Sequence, residues 1–255
     1  SAATARQVTA PVTVADWDED ERLRGEKETL GLYLTGHPIV RYLRDLQPVV
    51  TASLGELASE APPANNGERG YGYGGPSRTV IVAGLVMDLR KRGNRVNLVL
   101  DDRTGRIEVT LFEEAYNRFR ALAVKDKVVV AEGRLAFDQF LNAWRVTAKD
   151  LFDVDKLRER YVRRLDIHWQ AEEVSPEFAA RLKETLKPYL LDGGCAVCVG
   201  YRGKGASVPV PLGDHWRVRP SEALVQKLEA WLGADQVVLH YGPRAAVSSR
   251  ETADA

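Results

Sequence analysis

Four cations stand within six residues at Arg90-Lys91-Arg92-Gly93-Asn94-Arg95. Charges so closely spaced suit the phosphates of a polyanion, and the Gly93-Asn94 pair between them is hairpin-turn chemistry that would gather them at one tip. Farther along, Phe137, Phe140 and Trp144 crowd one short stretch. Flat rings of this kind can serve as stacking platforms for bases, each contributing about 1–3 kcal/mol when occupied. Plainer readings stand beside these: cations that only solubilise a hairpin, and rings that plug the end of a barrel, the favoured reading for each aromatic.

Other candidates carry less. Cys195-Ala196-Val197-Cys198 has a CxxC spacing, yet the chain holds no further cysteine, and two strand residues three steps apart emerge on opposite faces. They read as structural, apolar cysteines. His37, His168, His215 and His240 are scattered, without the i, i+4 spacing of a helical metal site. Asp101-Asp102, followed by Arg103-Thr104-Gly105, suits a turn better than a metal-binding carboxylate pair. Neither a phosphate-cradling GxxxxGK[ST] nor a dinucleotide GxGxxG occurs, so no catalytic site assembles and no cofactor or metal is expected.

The elements that must position these residues follow from periodicity. Residues 79–92, 95–102 and 106–112 alternate with period two between turn signals, residues 113–122 are helical, and two more strands follow before residue 153. Three strands, a helix and two strands in about 75 residues is the order of an OB-fold, a small Greek-key barrel. On that fold the basic hairpin borders the groove that holds single-stranded nucleic acid, and the loop of Phe137, Phe140 and Trp144 lies across it.

The rest of the chain is expected to flank the barrel. Residues 1–54 read as a helical segment ending a preceding domain, with helices over 16–34 and 38–46. Residues 55–78 read as a flexible joint, because residues 62–76 hold 5 Gly, 3 Pro and 2 Asn and cannot bury enough apolar surface to order; Tyr71 and Tyr73 in it read as solvated. Residues 154–246 read as an α+β domain of order β-α-β-β-α-β, two helices on one face of an antiparallel sheet, and 247–255 as a disordered tail. Trp169, Trp216 and Trp231 fall in this last domain. Tryptophan is enriched where interfaces carry their binding energy, although core packing is the favoured reading for each and suits Trp231 best.

Composition agrees. The chain has 255 residues, 44% hydrophobic and 28% charged, with formal net charge zero, so it is neither a disordered tail nor a protein that coats nucleic acid by bulk charge. Residues 1–76 carry 7 basic and 11 acidic side chains, residues 77–153 carry 14 and 11, and residues 154–255 carry 15 and 14; the positive excess sits in the barrel. Two cysteines and no long apolar run make the cytoplasm the default compartment.

The run Glu26-Lys27-Glu28-Thr29-Leu30-Gly31-Leu32-Tyr33-Leu34-Thr35-Gly36-His37-Pro38 is joined later by Lys91-Arg92-Gly93-Asn94-Arg95. Next come Leu100-Asp101-Asp102-Arg103-Thr104-Gly105-Arg106-Ile107-Glu108-Val109 and Leu111-Phe112. In this order, and continuing through Trp216-Arg217-Val218, Pro220-Ser221 and Gln236-Val237, these segments resemble the C-terminal region of the alpha subunit of bacterial DNA polymerase III. The resemblance implies a non-catalytic part of a DNA-directed DNA polymerase, a nucleotidyltransferase of the replisome, whose catalytic carboxylates lie upstream. It implies that Arg90, Lys91, Arg92 and Arg95 meet single-stranded template DNA, and that residues 165–242 dock the tau subunit of the clamp loader. In relatives the segment that binds the sliding clamp just precedes the first run. Residues 3–20 show no short Gln-led apolar peptide, so clamp binding is not carried over. The rival readings are an RNA- or tRNA-binding OB module of an unrelated multidomain protein, and a small metal or redox protein using Cys195 and Cys198.

Overall fold

The period-two runs close into a barrel. In the computed structural model, which describes residues 19–30, 36–63, 77–169, 175–203 and 206–242, the chain divides into two compact units, residues 1–40 and 41–255. The readings for residues 3–18, Tyr71, Tyr73, most of the joint and the tail fall outside the described residues. In the first unit, helix α1 (Glu19–Leu30) occupies the middle of the helix expected over 16–34.

The second unit begins with two short helices, α2 (Leu43–Leu46) and α3 (Leu54–Ser59). The barrel follows, built from β1 (Arg78–Arg92), β2 (Arg95–Asp101), β3 (Arg106–Phe112), helix α4 (Glu113–Phe119), β4 (Val128–Asp138) and β5 (Ala143–Phe152). Its strands close in the order β1-β2-β3-β5-β4. β1 is long enough to pair with β4 over Arg78–Leu85 and with β2 beyond it, bending at a bulge between Val86 and Asp88; such a bend lets one strand serve two neighbours and close the sheet. Every second residue turns inward, so that Val80, Val82, Leu98, Leu100, Val109, Leu111, Leu135 and Val146 fill the interior with no exposed surface.

Helix α3 belongs to that barrel rather than to a flexible joint over 55–78. Leu54 and Leu57 are fully buried in the barrel core. The β2–β3 turn holds the start of the helix: Asp102 Oδ2 accepts from the Leu54 amide at 2.8 Å, and Thr104 Oγ1 accepts from the Gly55 amide at 2.9 Å. The Gly/Pro/Asn bias of residues 62–76 does not reach this segment, which carries its own capping box: Ser53 Oγ accepts from the Glu56 amide and the Glu56 carboxylate accepts from the Ser53 amide.

Helix α5 (Val154–Tyr161), capped by Asp153, leads out of the barrel. The final domain is β6 (Val162–Trp169), α6 (Pro176–Leu186), β7 (Leu190–Gly203), β8 (Ala206–Pro211), α7 (Glu222–Leu232) and β9 (Val237–Tyr241), the expected β-α-β-β-α-β order and with it an α+β chain. Its sheet runs β8-β7-β6-β9. It is mixed rather than antiparallel: β6 and β7 are parallel because α6 supplies the crossover, and the other two pairs are antiparallel. Phe178, Leu182 and Leu186 of α6 and Leu224 and Leu228 of α7 pack with Leu165, Ile167, Val197 and Val199 of the sheet. Among the described residues no helix is long and apolar enough to cross a membrane.

Candidate nucleic-acid interface

Pairing of Arg92 with Arg95 leaves Gly93 and Asn94 as a two-residue turn, with Gly93 in the left-handed region at φ 58°. Val96 and Leu98 point into the barrel, so Arg95 and Asn97 between them point out, and their cross-strand partners Arg92 and Arg90 share that outer face. The register carries the face onward. Arg95 pairs with Phe112 and Asn97 with Thr110, Thr110 lies beside Thr147, and Thr147 opposes Arg134. A polar row, Arg90, Asn97, Thr110, Thr147 and Arg134, thus crosses the outside of four adjacent strands and ends on the fifth.

The four hairpin cations are not equivalent. Arg90 Nε is tied to Asp88 at 2.8 Å, a contact that holds the Asp88 carboxyl below its ordinary range. The Arg95 guanidinium lies 5.6 Å from the centre of the exposed Phe112 ring. Lys91 and Arg92 are exposed and make no ion pair among the described residues. In the middle of the row, Asn97 and Thr110 are only 9% and 7% exposed, and Asn97 Oδ1 has no hydrogen-bond partner among the described residues. Arg145 flanks them from β5, held by Asp138 at 3.0 Å, by Glu108 and by Thr110 at 3.4 Å.

At the other side lies the β4–β5 loop. Asp138 Oδ1 accepts from the amides of Phe140 and Leu141 at 3.0 and 3.1 Å. Burial works against the Asp138 carboxylate, yet these amides and Arg145 keep it below the usual range. The loop so fixed projects Phe140 fully into solvent, with Leu141 56% exposed beside it. Phe137 and Trp144 go elsewhere. They oppose one another across the strand pair, edge to face at 5.3 Å, and Trp144 packs on the barrel core while its Nε1 donates to the Glu60 carbonyl at 3.0 Å.

The geometry therefore brings Arg90, Arg92 and Arg95 together at one end of the β2–β3 face, with Lys91 beside them at the hairpin tip but on the other side of the strand, opposite Val96, and Phe140 to the diagonal end, and turns Phe137 and Trp144 towards the segment after α3. Sequence reasoning missed Asn97, Thr110, Phe112 and Arg145. The signal was present in the alternation of Arg95-Val96-Asn97-Leu98 and Thr110-Leu111-Phe112, whose polar or aromatic partners to each buried residue must face outward.

In the final domain Trp169 and Phe178 stack at 4.1 Å, Trp231 lies 5.3 Å from Phe178, and the Arg181 guanidinium covers Trp231 at 4.5 Å. Trp216 sits in a 3-10 turn against the same core. All three tryptophans are half-buried at the rim of that core. Cys195 lies in the core with Val197 and Val199, whereas Cys198 falls on the other face of β7, paired across from Asp166. Asp166 Oδ2 accepts there from Arg164 Nη2 at 3.0 Å and meets His240 Nε2 at 2.8 Å.

The tRNA anticodon-type OB-fold nucleic acid binding domain matches residues 80–154, and the DNA polymerase III subunit alpha C-terminal domain matches residues 181–233. The chain is 37% identical to the DNA polymerase III subunit alpha of Vibrio cholerae over 89% of this chain and 19% of the relative. It is 35% identical to that of Escherichia coli K12 over 88% of this chain and 19% of the relative. Among solved structures, a replication protein A heterotrimer bound to ssDNA is 18% identical, covering 43% of this chain and 84% of that one with a TM-score of 0.32. The chain spans about a fifth of the length of the curated relatives it matches. With an OB-fold match followed by a polymerase III match, and relatives aligned along nearly its whole length, the chain belongs to the DNA polymerase III alpha-subunit family, in which it corresponds to the C-terminal region.

Proposed function

We propose that this chain is a non-catalytic C-terminal portion of a replicative polymerase subunit whose barrel holds single-stranded DNA across the β2–β3 face. The observation that carries the reading is the polar row from Arg90 to Arg134, with Lys91 and Arg92, exposed and in no ion pair among the described residues, at the hairpin end and fully exposed Phe140 held out at the other. Phosphates run past the hairpin cations, Arg90 and Arg95 contributing less because Asp88 and Phe112 already engage them. A base stacks on Phe140. Of the other two loop aromatics, Trp144 serves the barrel end and Phe137 supports it.

Fluorescence anisotropy with labelled oligothymidylate tests this. Lys91→Ser with Arg92→Ser should weaken binding and lower the slope of log affinity against log salt by about 1.4, because each single-strand phosphate contact contributes about 0.7. An unchanged slope would place the DNA elsewhere. The anticodon-type OB match favours one second reading, an RNA module; binding a structured RNA much more tightly than oligothymidylate would select it, since RNA readers use 2′-hydroxyls and splayed loop bases. Primer extension with magnesium and four nucleotides should yield no product.

The final domain, on this reading, docks the tau subunit of the clamp loader, with the rim of Trp169, Trp216 and Trp231 the first place to look. A compact α+β domain with nearly balanced charge has little to offer a polyanion but has half-buried aromatic rings to offer a protein. Tau capture by the whole chain, lost when residues 165–255 are removed, is the expected result. Capture by residues 1–164 would overturn it.

A further inference from the structure

Beyond the β2–β3 face the barrel carries a second basic feature. An open notch of about 410 Å³ is lined by Arg118 and Phe119 of α4, Glu132 of β4, Lys149 and Asp150 of β5, and Arg160 of α5. Its floor is the cross-strand pair Glu132 and Asp150. Two carboxylates directly opposite each other are unfavourable by themselves, and the surrounding cations offset this unevenly. Arg160 is committed: it bonds Asp150 at 2.6 Å and lies 4.4 Å over the Phe152 ring. Arg118 and Lys149 are exposed and make no ion pair among the described residues. After the Arg160–Asp150 pair is set aside, two positive groups face one carboxylate.

Lys149 is there by construction of the strand. The register passes from Glu132 opposite Asp150 to Gly133 opposite Ala148, so Lys149 is the extra residue of a β-bulge, a device that re-aims a side chain out of the regular alternation. The bulge requires the glycine: a Cβ at position 133 would stand 2.2 Å from the Thr147 carbonyl oxygen. Thr147 is itself a member of the outer-face row. A strand that crosses β2, β3 and β5 along that row therefore leaves it two residues from Lys149, about 10 Å of arc from β2 at two strand spacings.

We infer that this notch binds a backbone phosphodiester of the same single strand after it has crossed the β2–β3 face, extending the footprint onto the β4–β5 side of the barrel; this rests on the function proposed above. A singly charged phosphodiester matches the net charge of one, while the fixed Glu132 carboxylate disfavours the second charge of a free phosphate. The notch alone is weak. It adds to a strand already tethered at the hairpin.

The test uses the whole chain and oligothymidylates of about 4 and about 16 nucleotides, the limits of OB-fold site sizes. Arg118→Ser with Lys149→Ser should leave binding of the short oligonucleotide unchanged and lower the salt slope of the long one by about 0.7, the share of one phosphate contact. Arg160 is kept because it holds Asp150. Lys149→Glu alone, at an exposed position, gives a second variant and should weaken only the long oligonucleotide. An unchanged slope for the long oligonucleotide, while Lys91→Ser with Arg92→Ser weakens both lengths, would overturn the notch and leave the β2–β3 site standing. If neither pair matters, both readings fall. If replacing chloride by phosphate at equal ionic strength cancels the long-oligonucleotide increment, the notch is a free-phosphate site and the inference is wrong.

Discussion

Arg158 and Asp45 lie 113 residues apart and meet as a bidentate pair, Nε and Nη2 donating to the two carboxylate oxygens at 2.9 and 2.8 Å. Both side chains are buried, 4% and 7% exposed. Arg158 also donates to Glu222 in the first turn of α7, and the Tyr241 hydroxyl of β9 donates to Asp45. One guanidinium thus joins α2, α5, α7 and β9. Burial pulls against its charge, but Asp45 and Glu222 hold the group above its ordinary pKa. The short helix that the sequence assigns to a preceding domain is stitched to the final one.

Removing one partner of such a pair leaves a charge buried without compensation, which costs about 3–5 kcal/mol. Arg158→Ala should destabilise the chain by that order in urea unfolding. Arg158→Met combined with Asp45→Leu removes both charges at similar volume and should recover most of the loss. A double variant as unstable as the single one would mean that the pair contributes more than it costs to bury.

Stability should fall in alkali through Cys195. Burial pushes this thiol up to about 11 from an ordinary 9.0. In the unfolded chain the thiol ionises near 9, so above that pH the unfolded state releases a proton that the folded state keeps. The contribution is therefore complete below about pH 9 and is lost towards about pH 11, at no more than about 1.4 kcal/mol per pH unit. Urea unfolding at pH 8 and pH 10 should show a smaller alkaline loss for Cys195→Val than for the natural chain. The tyrosines Tyr42, Tyr161 and Tyr241, all raised by burial, contribute to both chains alike and cancel in the comparison. Equal losses would mean that Cys195 titrates normally.

Phe140 and Trp144, four residues apart, should separate cleanly. Phe140→Ala touches nothing in the fold, since the ring is fully exposed, and should leave unfolding unchanged while costing about 1–3 kcal/mol of oligothymidylate affinity. Trp144→Phe deletes the bond to the Glu60 carbonyl and should cost about 0.5–1.5 kcal/mol of stability with affinity intact. Reversal of the two phenotypes would reverse the assignments.

The order of strands and long helices was legible because each buries one face over enough residues for its period to show, as Val96, Leu98 and Leu100 and Phe178, Leu182 and Leu186 do. Helices α3 and α5 were not. Six and eight residues give barely two turns, and α5, with Asp155, Lys156, Arg158, Glu159 and Arg160 in its sequence, reads as solvated until Arg158 is seen facing Asp45. The candidate site divides the same way. The cations announce themselves by local density, but whether Arg90 is free depends on Asp88 two residues away, and Asn97 meets Thr110 only through a register that the closed barrel fixes.

The contact between α3 and the β2–β3 turn explains why Asp102-Arg103-Thr104-Gly105 and Leu54-Gly55 occur together. Gly55 and Gly105 approach so closely that a Cβ on Gly105 would stand 2.7 Å from the Gly55 Cα, and one on Gly55 would stand 2.5 Å from the Thr104 carbonyl oxygen. Both obstacles are backbone and cannot swing aside. Asp102 is also engaged with the Thr104 and Gly105 amides, at 2.9 and 3.1 Å, so the turn is rigid where it meets the helix. Gly55→Ala, helix-favouring by propensity, should here destabilise the barrel by more than about 1 kcal/mol, because displacing α3 uncovers Leu54 and Leu57. Asp102→Ala should cost a similar amount by stripping the Leu54 amide of its acceptor. If Gly55→Ala instead raises the unfolding midpoint, helix propensity outweighs the contact and α3 is not held by this turn.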